Sequence, residues 1–431
     1  MNSTLSYIAD SFAGVSCNEV RIEPSSARNN LQPSSTVSFT LPQSAVLRLS
    51  SFTVHAVVDT LTAGARIPDA MSLLARVEVS VGGQVVSGAG SYYNSAVAIR
   101  RALTGQRGDK ISQHGIVSSA NPYQVDHSCE AGAKEKCRLT FSGWDYGMLS
   151  AKPEYLDSSR CGAITVRLTF ADPSVLGMTT STPATGFTIS EVSSTIEVVS
   201  IANPAYDSMM SAVMAQKGYL PICWKEPYVI RAMHNGITRA AVSSRSLDRV
   251  LVAFRNKDND TAAQCFKLPT TEKSPVGFTH ETLLAPCEIY GPLKVKAADG
   301  TEDTTRLYGD DVSFFMSFGG SRFPQYHART GYEWPQISEH AIYNEERHGL
   351  PCVRYGELQN KAKQVFASKL NLAGSASPCI SSGVNSKAQS LIIEAHTGAG
   401  FASVNEAICF ISAETSALLM IGNSREVSLS R

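Results

Sequence analysis

The chain has 431 residues, more than one ordinary core holds, and that length sets an expectation of roughly two to three domains. Its 38 basic residues balance 38 acidic ones, so the total charge singles out neither a polyanion nor a membrane surface as a partner. The sequence lacks an apolar run near the roughly 18 residues of a membrane span and a basic segment leading into a signal-like apolar block; its ten scattered cysteines form no Cys-x-x-Cys pair and read as reduced thiols made in a reducing compartment.

At the N-terminus Leu5, Ile8, Phe12 and Val15 fall at helical spacing, which predicts a short amphipathic helix over residues 4–16 within an arm over 1–18. That helix carries no basic residue, so an arm tucked beneath an assembly fits it better than a seat on anionic lipid. Strand alternation follows in Val37, Phe39 and Leu41 before the Pro42 stop, and again over residues 46–58. Val77, Val79 and Val81 then lead into Gly82-Gly83, the signature of a hairpin with a primed two-residue turn, and a helical stretch is predicted at about 91–104. The polar residues 104–135 are a candidate surface loop containing Arg107, Gly108 and Asp109, a tripeptide that serves either as a receptor-binding loop or as a plain turn.

Ile164, Val166, Leu168 and Phe170 alternate with polar residues as a half-buried strand requires, and residues 187–201 form a further strand candidate. Pro204 and Gly218 bracket a predicted helix over 205–216, whose Met209, Met210 and Met214 suit the filling of an irregular gap between two units. Beyond it come strands at 228–235 and 250–255, then a second candidate loop from Asn256 to Pro286. Phe314, Met316 and Phe318 before Gly319-Gly320 repeat the form of the first hairpin. Helical stretches are predicted at about 338–348 and 356–370, and strands at 390–396, 407–413 and 416–430.

The repeated hairpin at half the chain length predicts two similar units, over residues 19–217 and 218–431. Many short strands with few helices make the fold class all-β, as two packed β-sandwiches. Eight strands per unit would make each a jelly roll, with other Greek-key sandwiches open as alternatives. No catalytic, cofactor-binding or metal residue is assigned: the sequence has no Gly-x-Ser-x-Gly, no phosphate-cradling loop and no His-Glu-x-x-His, and His280-Glu281 stands alone. Asn2 and Asn259 satisfy the glycosylation rule but would stay bare in the cytosol.

Several segments in order resemble one family. Val20-Arg-Ile-Glu-Pro-Ser-Ser, Thr36-Val-Ser-Phe-Thr-Leu-Pro, Leu47-Arg-Leu-Ser-Ser-Phe-Thr-Val, residues 72–86 with Tyr92-Tyr-Asn, Gly186-Phe-Thr-Ile-Ser-Glu-Val, Ser243-Ser-Arg-Ser-Leu-Asp, Phe318-Gly-Gly-Ser-Arg-Phe-Pro and Ser382-Gly-Val-Asn-Ser-Lys are similar to stretches of double jelly-roll major capsid proteins. The wording is most like the polinton-like virus and adintovirus forms of this adenovirus hexon-like lineage. The resemblance implies two consecutive eight-stranded jelly rolls with a few short helices. It also implies a structural protein without catalysis or cofactor, assembling as a pseudo-hexameric homotrimer that tiles an icosahedral virion shell of a DNA virus. As partners it implies further copies of the chain, penton and minor capsid proteins and an internal membrane, with no sequence-specific nucleic-acid binding. Two other classes are weighed against it: a double jelly-roll groove hydrolase of the peptide-N-glycanase type, with acidic residues between its units, and a glycan-binding protein, for which Trp144, Trp224 and Trp334 are too dispersed to make a platform.

Overall fold

Alternating burial builds the sheets. Ile164, Val166, Leu168 and Phe170 are buried while Arg167 is exposed, so one face of that strand meets the core and the other meets water. A computed structural model describes residues 15–61, 65–67, 70–88, 90–104, 116–118, 125–126, 129–130, 137–178, 186–201, 204–234, 237–256, 266–267, 295–296, 302–303, 312–318, 320–329, 365–369, 383–387, 391–397, 407–422 and 426–430.

The first half supplies β1 (Val15–Ile22), β2 (Thr36–Thr40), β3 (Val46–Leu61), β4 (Leu74–Val81), β5 (Gln84–Ser87), β6 (Cys137–Phe141), β7 (Ile164–Phe170) and β8 (Phe187–Ile201). The second supplies β9 (Tyr219–His234), β10 (Ile237–Val242), β11 (Leu247–Asn256), β12 (Val312–Phe318), β13 (Ser321–Arg329), β14 (Val365–Lys369), β15 (Leu391–Thr397) and β16 (Ala407–Gly422). Helix α1 (Tyr93–Thr104) follows β5, and α2 (Pro204–Lys217) joins the halves. The first-half sheets run β1-β8-β3-β6 and β2-β7-β4-β5, and the second-half sheets run β9-β16-β11-β14 and β10-β15-β12-β13, with antiparallel neighbours throughout. The second pair of orders is the first advanced by eight strands. One jelly-roll topology is built twice.

Between the first two sheets lie Phe39, Phe52, Phe141, Phe170 and Phe187, all buried, with Phe39 edge-on to Phe52 at 5.9 Å between centroids. Each such ring contributes on the order of 2–3 kcal/mol through removal from water. The β4–β5 hairpin turns on Gly82 and Gly83 at φ of 58° and 85°, the left-handed pair that a primed turn needs. In the second half Phe318 pairs with Ser321 across an equally short connection, with Gly320 at φ 85°.

Five expectations change. Val15 opens β1 opposite Ile201, so the helical spacing does not run through it, and residues 15–18 of the expected arm are strand; a sheet neighbour outweighs a one-sided apolar stripe. Residues 365–369 of the expected 356–370 helix are β14, whose Val365 and Phe366 pair with Ala253 and Val252. Strand β9 starts at Tyr219 rather than 228, because Pro221 and Pro227 are tolerated where the strand ends its sheet. Strand β16 runs unbroken through the two stretches 407–413 and 416–430 up to Gly422, with a separate strand at Val427–Ser430. The candidate loop at 104–135 contains short strands at Ile116–Ser118, Val125–Asp126 and Cys129–Glu130, the first of which extends the sheet beyond β6; the one from Asn256 holds Phe266–Lys267, paired with Gly177–Met178.

Candidate functional site

The two sandwiches meet along β9, and the seam starts with backbone. Cys223 and Lys152 exchange both main-chain hydrogen bonds, at 2.8 and 3.0 Å, and the Gly147 amide donates to the Lys225 carbonyl at 2.9 Å. Ile222, Trp224, Ala417, Leu419 and Ile421 of the second half are buried in the same cluster as Phe52 and Trp144 of the first. Helix α1 rests on β4 and crosses β9, β11 and β14. Tyr93, Ala96, Val97 and Ile99 are all buried, as expected of a helix covered from both sides.

Charged groups are sealed into this seam. Glu226 on β9 accepts from Trp224 Nε1 at 2.7 Å, from Ser87 Oγ at 3.1 Å and from the Gly88 amide at 2.5 Å, so its carboxylate is fully engaged. Gly88 sits at φ +84°, and a Cβ there would lie 1.7 Å from the Val77 carbonyl oxygen, which leaves glycine as the residue that fits. Glu414 on β16 accepts from the Tyr146 hydroxyl and faces Arg249 Nη1 at 3.6 Å and Arg100 Nη1 at 3.9 Å. Burial by itself would raise the Glu414 carboxyl, but Arg249, Arg100, the Tyr146 hydroxyl and Lys225 outweigh it and hold the group below the usual range. The Tyr146 phenol moves the other way, pushed well up by burial and then by the Glu414 charge. Beside them Lys225 Nζ pairs with Asp248 at 2.6 Å, and Ser416 Oγ donates to the same carboxylate at 2.5 Å.

The groups across this seam engage one another. The cavity lined by Ser87, Tyr93, Tyr146 and Glu226 measures about 10 Å³, space for a single water. Among the described residues no group of three His, Cys, Asp or Glu is placed to hold a metal ion. A second polar network lies in the open on the first half. Arg48 on β3 pairs with Glu197 at 3.0 Å and Glu154 at 3.4 Å, Ser50 Oγ donates to Glu154 at 3.1 Å, Lys152 pairs with Glu154, and the Cys17 thiol donates to Glu197 at 2.9 Å.

Arg107, Gly108 and Asp109 lie outside the described residues, as do Leu5, Ile8, Phe12, His280, Glu281, Trp334, Asn2 and Asn259; Val15 lies in β1. Trp144 and Trp224 are buried and do not form a binding platform: their indole N–H groups donate to the Phe52 carbonyl and to Glu226, each at 2.7 Å. Of the three methionines on α2, Met214 is buried and Met209 is exposed, so only part of that set fills a gap. Cys17, Cys161, Cys223 and Cys409 are free thiols, and burial pushes Cys409 up to about 12. Sequence reading missed Glu226, Glu414, Arg249, Arg100 and Tyr146. Their one local signal is a charge set alone within an apolar strand, such as Glu414 between Ala413 and Ala417 in β16.

No family model matches the sequence, and no curated protein matches it. Solved structures do. The chain is similar to the PBCV-1 virus capsid structure over 97% of both chains, with a TM-score of 0.59 at 13% identity. It is also similar to the Faustovirus major capsid protein over 95% of this chain and 91% of that one, at TM-score 0.54 and 11% identity. The mavirus major capsid protein aligns over 96% and 90%, at TM-score 0.50 and 10% identity. The fold is a double jelly roll. In a double jelly roll the strand equivalences above extend to whole units, and the seam is the joint between the first roll and the second.

Proposed function

We propose that this chain is a major capsid protein: a non-catalytic subunit that trimerises into a pseudo-hexameric capsomer and tiles an icosahedral shell. The observation that carries this reading is the duplication itself, one topology built twice in a chain that matches capsid structures over nearly its full length. Three such chains place six similar units around one axis, the outline that packs a hexagonal lattice. The rolls divide at Lys217/Gly218, after α2. The sequence motifs narrow the type to the polinton-like and adintovirus forms. The free thiols suit assembly inside the host cell in a reducing compartment, with the virion as final location. Penton and minor capsid proteins are the further partners of this reading, and an internal membrane beneath the shell is a candidate one. The arm before β1 would lie on the inner side, and Arg107, Gly108 and Asp109 form the candidate receptor loop.

Native mass spectrometry tests this directly. A particle of three times the 46.2 kDa of one chain, stable on dilution and forming shells in electron micrographs, is the expected result. A monomer that yields no particles under any condition overturns it. The groove-hydrolase reading is not favoured, because the carboxylates between the rolls, Glu226 and Glu414, are buried and engaged by donors. Deleting residues 2–14 should lower particle yield while leaving the trimer, and an undiminished yield would remove the role given to the arm.

A further inference from the structure

Lys225 and Asp248 meet over a strand to which neither belongs. Strand β16 lies between β9 and β11, and Lys225 of β9 stands opposite Ser416. On the other flank the β11 ladder slips between Leu247 and Arg249, which makes Asp248 the extra residue of a bulge. A bulge re-aims its side chain, and this one carries the Asp248 carboxylate to Ser416 and to within 2.6 Å of Lys225 Nζ. The two backbones stand two strand spacings apart, about 9.5 Å, so the side chains close that gap from both ends. The Asp248 side chain is 3% exposed and the Lys225 side chain 23%. Ser416 Oγ accepts from Lys225 Nζ at 3.0 Å and donates to Asp248 Oδ2 at 2.5 Å, while Ser246 Oγ donates to Oδ1 at 3.3 Å. Gly383 closes the far side. Its amide donates to Ser246 Oγ at 3.1 Å, and a Cβ at that position would lie 2.7 Å from Asp248 Oδ1.

We propose that Lys225 and Asp248 join as an isopeptide, a covalent tie from β9 to β11 that passes over β16. Within the pair a proton moves from Nζ to Oδ2, which leaves a neutral amine against a carboxylic acid. The Nζ lone pair attacks Cγ, and the carbonyl electrons move to Oδ1, where the Ser246 hydroxyl steadies them. Ser416 Oγ touches both partners and passes a second Nζ proton to the Oδ2 hydroxyl. Oδ2 leaves as water, and the electrons on Oδ1 restore the carbonyl. One C–N bond forms, one C–O bond breaks, and no oxidant or cofactor enters. The drive comes from burial: an ion pair shut away from water bears the cost of two desolvated charges, and an amide carries neither. The partly open Lys225 side gives the released water its way out. The product would fix the strand that lies along the seam to the sheet of its own roll, independently of the ladder hydrogen bonds.

Tryptic mapping of the full wild-type chain by mass spectrometry reads the bond directly. Cleavage after Lys217, Arg231, Arg245 and Arg249, with none after acylated Lys225, should release one branched peptide: residues 218–231 joined to residues 246–249 and lighter than the two together by one water. Lys225→Arg should release residues 246–249 unlinked, because a guanidinium keeps its charge and does not attack. In a cell-free synthesis time course, Ser416→Ala should slow the appearance of the branched peptide by about a hundredfold. A wild-type map with residues 218–225 and 246–249 as separate peptides and no branched product leaves a plain ion pair and overturns the isopeptide. A branched peptide that forms in Ser416→Ala as fast as in the wild type overturns the proton relay given to Ser416.

Discussion

Arg48–Glu197 and Arg249–Glu414 are one arrangement in two environments. The exposed pair keeps much of its hydration, so its attraction is screened and its net worth is small. The covered pair has lost that hydration, and Arg100 and Tyr146 from the other roll join Arg249 against the Glu414 carboxylate. The same two residue types therefore face water in one roll and fasten the two rolls together in the other. The decisive variable is what lies on top, not the strand that carries them. A buried pair of this kind adds little stability over an apolar replacement, but it penalises any docking that leaves one partner unmatched.

Breaking the covered pair is the sharpest way to test that contrast. Glu414→Ala strands Arg249 and Arg100 beside each other at the seam and should cost about 3–5 kcal/mol, read from the urea midpoint of the isolated chain. Tyr146→Phe keeps the ring under Arg100 and removes only the hydroxyl donor, so about 1–3 kcal/mol is expected in the same measurement. Acid makes a gentler cut. Because the folded Glu414 carboxyl is held below its unfolded value of about 4.3, its contribution is complete above that pH and is lost as pH falls through the lower folded value. Stability measured between pH 7 and pH 3 should therefore decline at the acid end, and Glu414→Gln should flatten that decline. Arg48→Ala should sit last, under about 1 kcal/mol in the monomer, since its pair is solvent-facing. An Arg48→Ala loss equal to that of Glu414→Ala would erase the distinction between the two faces.

Much of the sandwich was legible in the sequence because strand burial repeats every two residues. Ile164–Phe170 and Phe187–Ile201 occupy the expected residues, and the helix expected at 205–216 spans Pro204–Lys217. Local signals failed where a distant partner decides. Val365–Lys369 is a strand because β11 lies beside it, and β9 continues through two prolines because, among the described strands, it ends its sheet. The seam was the least legible part. Tyr146 and Glu414 are 268 residues apart in sequence, and neither has a neighbour in the chain that announces the other. The repeat of Arg48-Leu49 in Arg249-Val250, each arginine opposite a glutamate, was a pointer available in principle, but it acquires meaning only once β3 and β11 are known to be equivalent strands.

Pro227 has a consequence for how copies of the chain can meet edge to edge. Strand β9 closes one side of its sheet, and the alternate backbone groups that turn away from β16 are those of Cys223, Lys225 and, two residues on, Pro227. Lys152 takes both groups of Cys223 and Gly147 takes the Lys225 carbonyl, while Pro227 has no N–H to offer. An open strand edge is a template on which a further chain can add strand by strand. Removing one donor at that position withdraws an attachment point from that route.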